Sequence, residues 1–572
     1  MFLSRYNTTW LKPGVYTGGF GSIKARNFSN HTLRPWFTIM KNLCTLVFSL
    51  ALCVFGVLEA RATDLTSAGI KVTTSQQVHP VLIRNEHNPL LRVIVDVNGP
   101  KAGLRITAFT FDLSGTDNVE DIESLSLYCS GDRREFETTI RIGDSVSAAR
   151  TVTVPNSYEL RAGRHVFWLS CRLRASASLV RKVDAACTGV TLSNGDTLAV
   201  TDQTPGVRKR IGVALRRHYD DGVHTHRIAA LATTSEDTLL CAYDLRRRKS
   251  RDLQEDIDIG LSRSTDGGQT WEAPRVIMDM KEWGGFPQEL NGVSDPGLLV
   301  DQNTGEIFCF AVWMVGKPGK HQWYEDGSEP GYEIGKAAQF LMVRSKDDGK
   351  TWSEPENLTR KLKKPDWWVY APAPQQGLTL SDGTLVMPTD GRDENDRFFS
   401  NIMYSRDNGR TWTVSEPAFR DGTECQAVQL SDGSLMLNMR TSTDTGYRGV
   451  AVTPDLGKTW KLHPTHLNTL IEPRCNGSLY RFDYTENGAS KFVLLFANPQ
   501  SRRSRVNHTI QVSLDEGMTW PEKYRKLLDY GRGRGYPSIS RVDDKHIGLV
   551  YEGSQADLSF EKISLDELLG RE

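Results

Sequence analysis

The sequence predicts an all-β protein, a β-propeller preceded by a smaller β-sandwich. Three observations carry that expectation. The skeleton Ser/Thr-x-Asp-x-Gly-x-Thr-Trp recurs five times, as STDGGQTW at 264–271, SKDDGKTW at 345–352, SRDNGRTW at 405–412, TPDLGKTW at 453–460 and SLDEGMTW at 513–520. Asp-Gly turns flanked by strand-like residues lie between the copies, in LSDGTLVMP at 380–388 and LSDGSLMLNMR at 430–440, a hairpin signal. Residues 64–200 hold none of these repeats, only short β-rich runs such as LLRVIVDVNG, LRITAFTFDL and HVFWLSCRL.

Residues 1–62 precede the folded region. From Met40 the chain reads MKNLCTLVFSLALCVFGVLEARATD, with a lysine beside the methionine, an apolar run over Leu43–Leu58 and a small-x-small site at Ala60-Arg61-Ala62. That order is an export signal peptide. The run is shorter than the ~20 residues that a spanning helix needs, so no stable membrane span is expected in the mature protein. Met40 is the expected true start, with 1–39 an upstream extension.

Residues 63–205 form the expected N-terminal sandwich (jelly-roll-like), since their apolar positions alternate between Gly, Asn and Asp turns. DQTPGVRKR at 202–210 is the junction, and 206–572 is the expected propeller. The starts of the repeats are separated by 81, 60, 48 and 60 residues, a loose period that fits blades with loops of varying length. Within each copy the Ser/Thr and Asp side chains can bond neighbouring backbone and fix a turn, glycine permits positive φ, and tryptophan buries apolar area beside it. Five copies on five blades cannot share one active site. The repeated aspartates are therefore scaffold.

Composition excludes little. Lys plus Arg equals Asp plus Glu at 70 each, which gives no support to nucleic-acid or polybasic membrane binding. Of nine cysteines, seven lie beyond the signal, and no pair has CxxC spacing, so a zinc site is not expected. Chemistry is instead sought in lone arginines at strand edges: Arg227 in HTHRIAALA, Arg440 in LMLNMRTST and Arg505 in RVNHTIQVS. Three from separate blades could converge on one anion, and the planar guanidinium binds a carboxylate bidentately.

HRIAAL, RRRKSRDLQEDIDIGLSRSTDGG, VSDPGLLV, DGTECQAVQLSDGSLMLNMR, RVNHTIQVSLDEGMTW and GRGYPSIS follow one another in the chain. Over about 207–560 this ordered set resembles the bacterial retaining exo-α-sialidases of glycoside hydrolase family 33, six-bladed propellers with Asp-box repeats. The resemblance implies an arginine triad at Arg227, Arg440 and Arg505, an acid/base at Asp252, a tyrosine nucleophile at Tyr536 and a polarising glutamate at Glu424. It also places Arg246 and Asp295 at the sugar's 4-hydroxyl side, and it makes the N-terminal sandwich either a carbohydrate-binding domain or a rigid spacer. The usual Arg-Ile-Pro is Arg227-Ile228-Ala229 here, and the fourth repeat begins with Thr453. Competing residues are Glu255 and Asp256 for Asp252, Tyr530 and Tyr551 for Tyr536, and Glu472 and Glu552 for Glu424. Trp313, Trp323 and Trp367 are further candidates for the pocket wall.

The resemblance implies hydrolysis of terminal α-ketosidic sialic acid from sialylated glycoconjugates with net retention, and the signal peptide implies export, to the periplasm, the outer surface or the medium. A neutral tyrosine is not repelled by the substrate's carboxylate, as an Asp or Glu nucleophile would be. No metal and no organic cofactor is implied, because no HExxH, EF-hand loop or phosphate-cradling glycine motif is present. The rivals are a sialoglycan lectin, which needs no Tyr536–Glu424–Asp252 set, and an Asp-box receptor, which needs no arginine triad.

Overall fold

The structure, a computed structural model, describes residues 67–253, 255–317, 323 and 328–571. The expected signal peptide lies outside them. The fold is all-β, and residues Thr63–Glu572 form one compact unit.

The N-terminal region has two sheets. Six strands run in the order Val200–Asp202, Ile70–Ser75, Asn88–Val97, Gly163–Leu173, Ile122–Cys129 and Arg141–Val146. Four more run Thr197–Leu198, Ala186–Leu192, Arg105–Asp112 and Thr151–Glu159. Alternation sends Val93, Val95 and Val97 of one sheet into the same core as Phe109 and Phe111 of the other. Phe109 meets Phe167 at 4.9 Å between ring centroids. Each such aromatic contributes about 1.5–3 kcal/mol by burial.

The C-terminal region consists of sheets built from antiparallel hairpins, one of nine strands, two of six and two of four. Neighbouring sheets meet along their first strands: Leu231 N donates to Ser538 Oγ at 2.9 Å and Ile539 N to Ser478 Oγ at 3.1 Å. The strand Lys209–Arg216 pairs antiparallel with Leu558–Ser564 near the other end of the chain. Two N-terminal strands, Val81–Ile83 and Lys182–Val183, also pair with Lys209–Arg216. The two regions therefore share sheet hydrogen bonds as well as a core.

The five repeats make one hydrogen-bonded turn each. In the second copy Ser345 Oγ and Thr351 Oγ1 donate to Asp347 at 2.9 and 2.6 Å, and Gly349 N donates to Ser345 Oγ at 3.0 Å. The other four repeat this pattern around Asp266, Asp407, Asp455 and Asp515. The tryptophans do not all close it alike: Trp271 and Trp352 donate to the clip glycine's carbonyl, whereas Trp460 donates to Glu416 O. These donors hold the Asp347 and Asp407 carboxyls down at about 2. None of the five lines a cavity described below.

Candidate active site

First strands carry the site residues near their N-terminal ends: Arg227 on Thr225–Thr233, Asp295 on Asn291–Val300, Glu424 on Gly422–Gln429 and Tyr536 on Gly535–Asp543. Second strands carry theirs at the C-terminal end: Arg246 on Leu239–Arg246, Asp390 on Leu385–Arg392, Arg440 on Leu435–Thr441 and Glu552 on His546–Glu552. Antiparallel pairing brings both kinds to one opening. Arg505 and Asp252 come from loops at the same opening.

The backbone breaks its ladder where the chemistry sits. Register shifts fall between Arg227 and Ala230, Ser294 and Gly297, Gly422 and Cys425, and Gly535 and Ser538. Ile228, Asp295 and Tyr536 have φ of 54, 60 and 46°. Bulges re-aim side chains, and a β-branched residue at positive φ costs about 1–3 kcal/mol, held only by its surroundings. For Ile228 the holding group is Glu552, whose Oε1 accepts the Ile228 N–H at 2.7 Å.

A cavity of about 230 Å³ is lined by Arg227, Asp252, Asp295, Glu424, Arg440, Arg505 and Tyr536, among others. The Tyr536 hydroxyl donates to Glu424 Oε1 at 2.5 Å, and Arg440 Nη1 bonds both the other Glu424 oxygen at 2.7 Å and the phenol oxygen at 3.1 Å. The Arg227 and Arg505 guanidiniums lie 5.2 and 5.4 Å from the Tyr536 ring centroid. Burial pushes the phenol well above its ordinary range, and the adjacent Glu424 adds to this. Arg505 is anchored by two backbone carbonyls, Arg534 O at 2.9 Å and Arg474 O at 3.1 Å. That leaves it without a carboxylate partner among the described residues.

Asp252 Oδ1 accepts from Arg246 at 2.5 Å and from Arg227 at 3.3 Å. Of the eight residues that the resemblance assigns to the site, Arg246 alone does not line the cavity. It is fully buried, bound twice by Asp244 at 2.8 and 3.0 Å, and reaches the site through Asp252. Asp295 lies on the wall, its carboxyl raised well above the ordinary value by burial and by Asp244 and Glu424.

The competitors are placed elsewhere or differently. Glu255 accepts loop amides of Arg248 and Lys249, Tyr551 bonds Glu561 at 2.7 Å and Glu472 pairs with Arg448 at 2.8 Å. Glu552 accepts from Arg227 Nε at 2.9 Å beneath the cavity. Of the three tryptophans only Trp323 lines the cavity. Trp313 and Trp367 are core, because Trp313 spends its N–H on Asn291 and Trp367 packs on Phe399 at 4.6 Å.

Sequence reasoning missed Asp390, which lines the same cavity with its carboxyl raised by burial and by Glu424. Its signal was TDGR after an apolar run, indistinguishable from a turn. The seven described cysteines are buried and form no disulfide with one another. A larger cavity of about 860 Å³ opens at the other end of the same first strands, around Thr233, Gln429, Tyr480 and Ser540. Its lining includes neither the arginine cluster nor the Tyr536–Glu424 pair, so the smaller cavity is the candidate site.

Residues 237–551 match the profile described as a BNR repeat-like domain, and 69–196 match the N-terminal domain of BNR-repeat neuraminidase. A sialidase of Bacteroides fragilis is 35% identical over 516 residues, covering 86% of this chain and 94% of its own. A sialidase of Micromonospora viridifaciens is 32% identical over 396 residues, covering 67% and 58%. Among solved structures, Hadza microbial sialidase Hz136 superposes with a TM-score of 0.80 at 34% identity, covering 86% of this chain and 99% of its own.

Proposed function

This chain belongs to the BNR-repeat sialidases, and from that premise we propose that it releases terminal sialic acid with net retention through a covalent bond to Tyr536. Membership makes it a glycoside hydrolase, an exo-α-sialidase acting on sialic acid. The proposed substrates are α-ketosidically linked sialic acids on glycoproteins, glycolipids and oligosaccharides. The observation that supports the mechanism is the 2.5 Å contact between Tyr536 and Glu424 inside a cage of arginines.

Each residue then has one task. Arg227, Arg440 and Arg505 take the substrate carboxylate and fix the ring, an entropic contribution of up to several kcal/mol. Glu424 accepts the phenol proton as the Tyr536 oxygen attacks the anomeric carbon. Asp252 protonates the departing glycosidic oxygen. It next removes a proton from water, whose oxygen attacks the anomeric carbon and displaces the tyrosine, and Glu424 returns its proton to that oxygen. A substrate carboxylate on Arg227 competes with Asp252 for that guanidinium, whose Nη1 lies 3.3 Å from Asp252 Oδ1. Asp295 faces the 4-hydroxyl side, and Arg246 positions Asp252.

The proposed architecture is a six-bladed propeller over 206–572 behind a β-sandwich over 63–205. Two N-terminal sheets sharing one core support the sandwich. Support for six blades comes from the C-terminal sheets, if the nine-stranded sheet counts as two blades joined only by the parallel bridge Ile257 to Gly292. Export through the leader ending near Ala62 is part of the same proposal. Among the described residues no helix is long and apolar enough to cross a membrane.

Proton NMR of residues 63–572 with α2,3-sialyllactose tests the reading. Sialic acid should appear first as the α-anomer, and Tyr536→Phe should abolish most turnover while retaining binding. First release of the β-anomer, or near-parental turnover in that variant, removes Tyr536 from the mechanism.

A further inference from the structure

A third cleft, of about 590 Å³, lies between the N-terminal strands and two loops of the C-terminal region. Phe136, Trp168 and Tyr530 give it an aromatic wall. Phe136 meets Trp168 edge-on at 5.8 Å, and Tyr530 is 53% exposed, unusual for so large an apolar group. Three guanidiniums, Arg92, Arg134 and Arg532, face one carboxylate, Glu135.

Among the described residues none of those cations makes an ion pair, and the buried Asp529 carboxylate beneath the cleft accepts from Gly531 and Ser554. Arg92 is held by Ser75 Oγ at 2.8 and 3.1 Å and stands 5.7 Å from the Trp168 ring centroid, a neutral hydroxyl and a ring. Burial, then Arg134 and Arg164, lower its affinity for its proton. Arg164 is itself paired with Asp96 at 2.8 Å. Among the described residues the side chains of Arg134 and Arg532 have neither an ion pair nor a hydrogen bond. A bound anion would offset that crowding.

The cleft also adjoins the catalytic loops. Val506 and Asn507 in its wall directly follow Arg505, and Arg532 precedes Tyr536 by four residues, a reach of at most about 14 Å. Tyr530 N donates to Val78 O at 2.7 Å, so both regions fix the wall. Aromatic faces suit the apolar face of a sugar ring, and guanidiniums suit a carboxylate.

We propose that this cleft is an accessory site for a second carboxylate-bearing sugar of the same sialoglycan. Its carboxylate would sit on Arg134 and Arg532, and its ring against Tyr530 and Trp168. The inference rests on the sialidase reading and extends it from one terminal sugar to a disialylated arm. A neutral glycan would leave the guanidiniums unanswered. A long polyanion would meet Glu135, on a chain whose net charge is zero.

Isothermal titration of the Tyr536→Phe chain with α2,3-sialyllactose and with its α2,8-disialylated counterpart tests this. Adding Arg134→Ser and Arg532→Ser should raise the Kd of the disialylated ligand about tenfold, or about 1.4 kcal/mol, and leave sialyllactose unchanged. Tyr530→Ser changes no charge and should weaken the disialylated ligand alone by about threefold, or about 0.6 kcal/mol, which long-range attraction cannot do. Equal affinity of both ligands for the parent, or equal losses for both, overturns the site. So does a loss confined to the arginine pair and erased by about 0.5 M salt. The sialidase reading fails on a separate result, namely no release of sialic acid from either sugar by the unsubstituted chain.

Discussion

Glutamine at position 424 would keep the shape of the site and remove its base. Glu424 holds the Tyr536 hydroxyl at 2.5 Å and Arg440 at 2.7 Å. The buried phenol titrates well above its ordinary range, so attack near neutral pH depends on transferring its proton as the bond forms. Loss of one positioned base ordinarily lowers the rate about 10²–10⁴-fold, or about 2.7–5.4 kcal/mol at about 1.36 kcal/mol per decade. Glu424→Gln should lose that much in kcat/KM on an aryl α-sialoside at about pH 6. The same substitution removes the negative charge that opposes the phenolate, while Arg440 and Arg505 continue to favour it. Tyr536 should therefore ionise at lower pH than before. The variant's rate should then climb about tenfold per pH unit between about pH 7 and 10, in proportion to the phenolate fraction, with no such rise in the parent. Continuous release of the aryl alcohol, fitted for kcat and KM at each pH, reads both effects. Activity within threefold of the parent at pH 6, or a deep loss that stays flat to pH 10, refutes proton transfer from Tyr536 to Glu424.

Glu552→Gln takes a counter-charge from buried Arg227; the cost should be about 3–5 kcal/mol, seen as a lower urea midpoint together with a raised KM. Asp347→Ala removes the anchor of one clip, far from the cavity. It should cost about 1–2 kcal/mol and leave kcat/KM unchanged. Because the Asp347 carboxyl is depressed to about 2, its contribution is present above the unfolded value of about 4 and should fade as pH falls from about 4 towards 2. Asp390 behaves in the opposite sense, since its raised carboxyl loses stability as pH rises from the unfolded value. Asp390→Asn should raise the thermal midpoint at about pH 7, give no gain at about pH 4, and lower affinity for substrate because the carboxyl faces the cavity. Calorimetry at the two pH values, with KM on the same aryl sialoside, separates these effects.

What the sequence reveals and what it hides divide on physical lines. The clips were legible because each is local: Ser345, Asp347, Gly349 and Thr351 bond one another within seven residues. The arginines were legible as lone cations near strand edges, and the roles of Tyr536 and Glu424 only through the resemblance. Glu552 and Asp390 were not, because their meaning is created by closure. Glu552 serves Arg227 across 325 positions, and nothing near it in the chain records that partnership. Asp244 is similar, since its role is to hold Arg246 and the Asp295 amide together from below. Trp313 and Trp367 went to the core because large aromatic area is more often spent on packing than on a pocket.

The pairing of Lys209–Arg216 with Leu558–Ser564 sets a timetable for biosynthesis. The second strand leaves the ribosome roughly 340 residues after the first, a wait of about 20–70 s at about 5–20 residues per second. During that interval Lys209–Arg216 lacks its long-range partner and presents an unpaired edge, the kind of surface on which chains pair wrongly. Val81–Ile83 and Lys182–Val183 are already synthesised by then and can occupy part of that strand. The N-terminal region thus supplies the partners that this strand has before its last one is made. A chain stopped short of Leu558 would lack the closing strand, and one stopped short of Glu552 would also lack the carboxylate that orients Arg227.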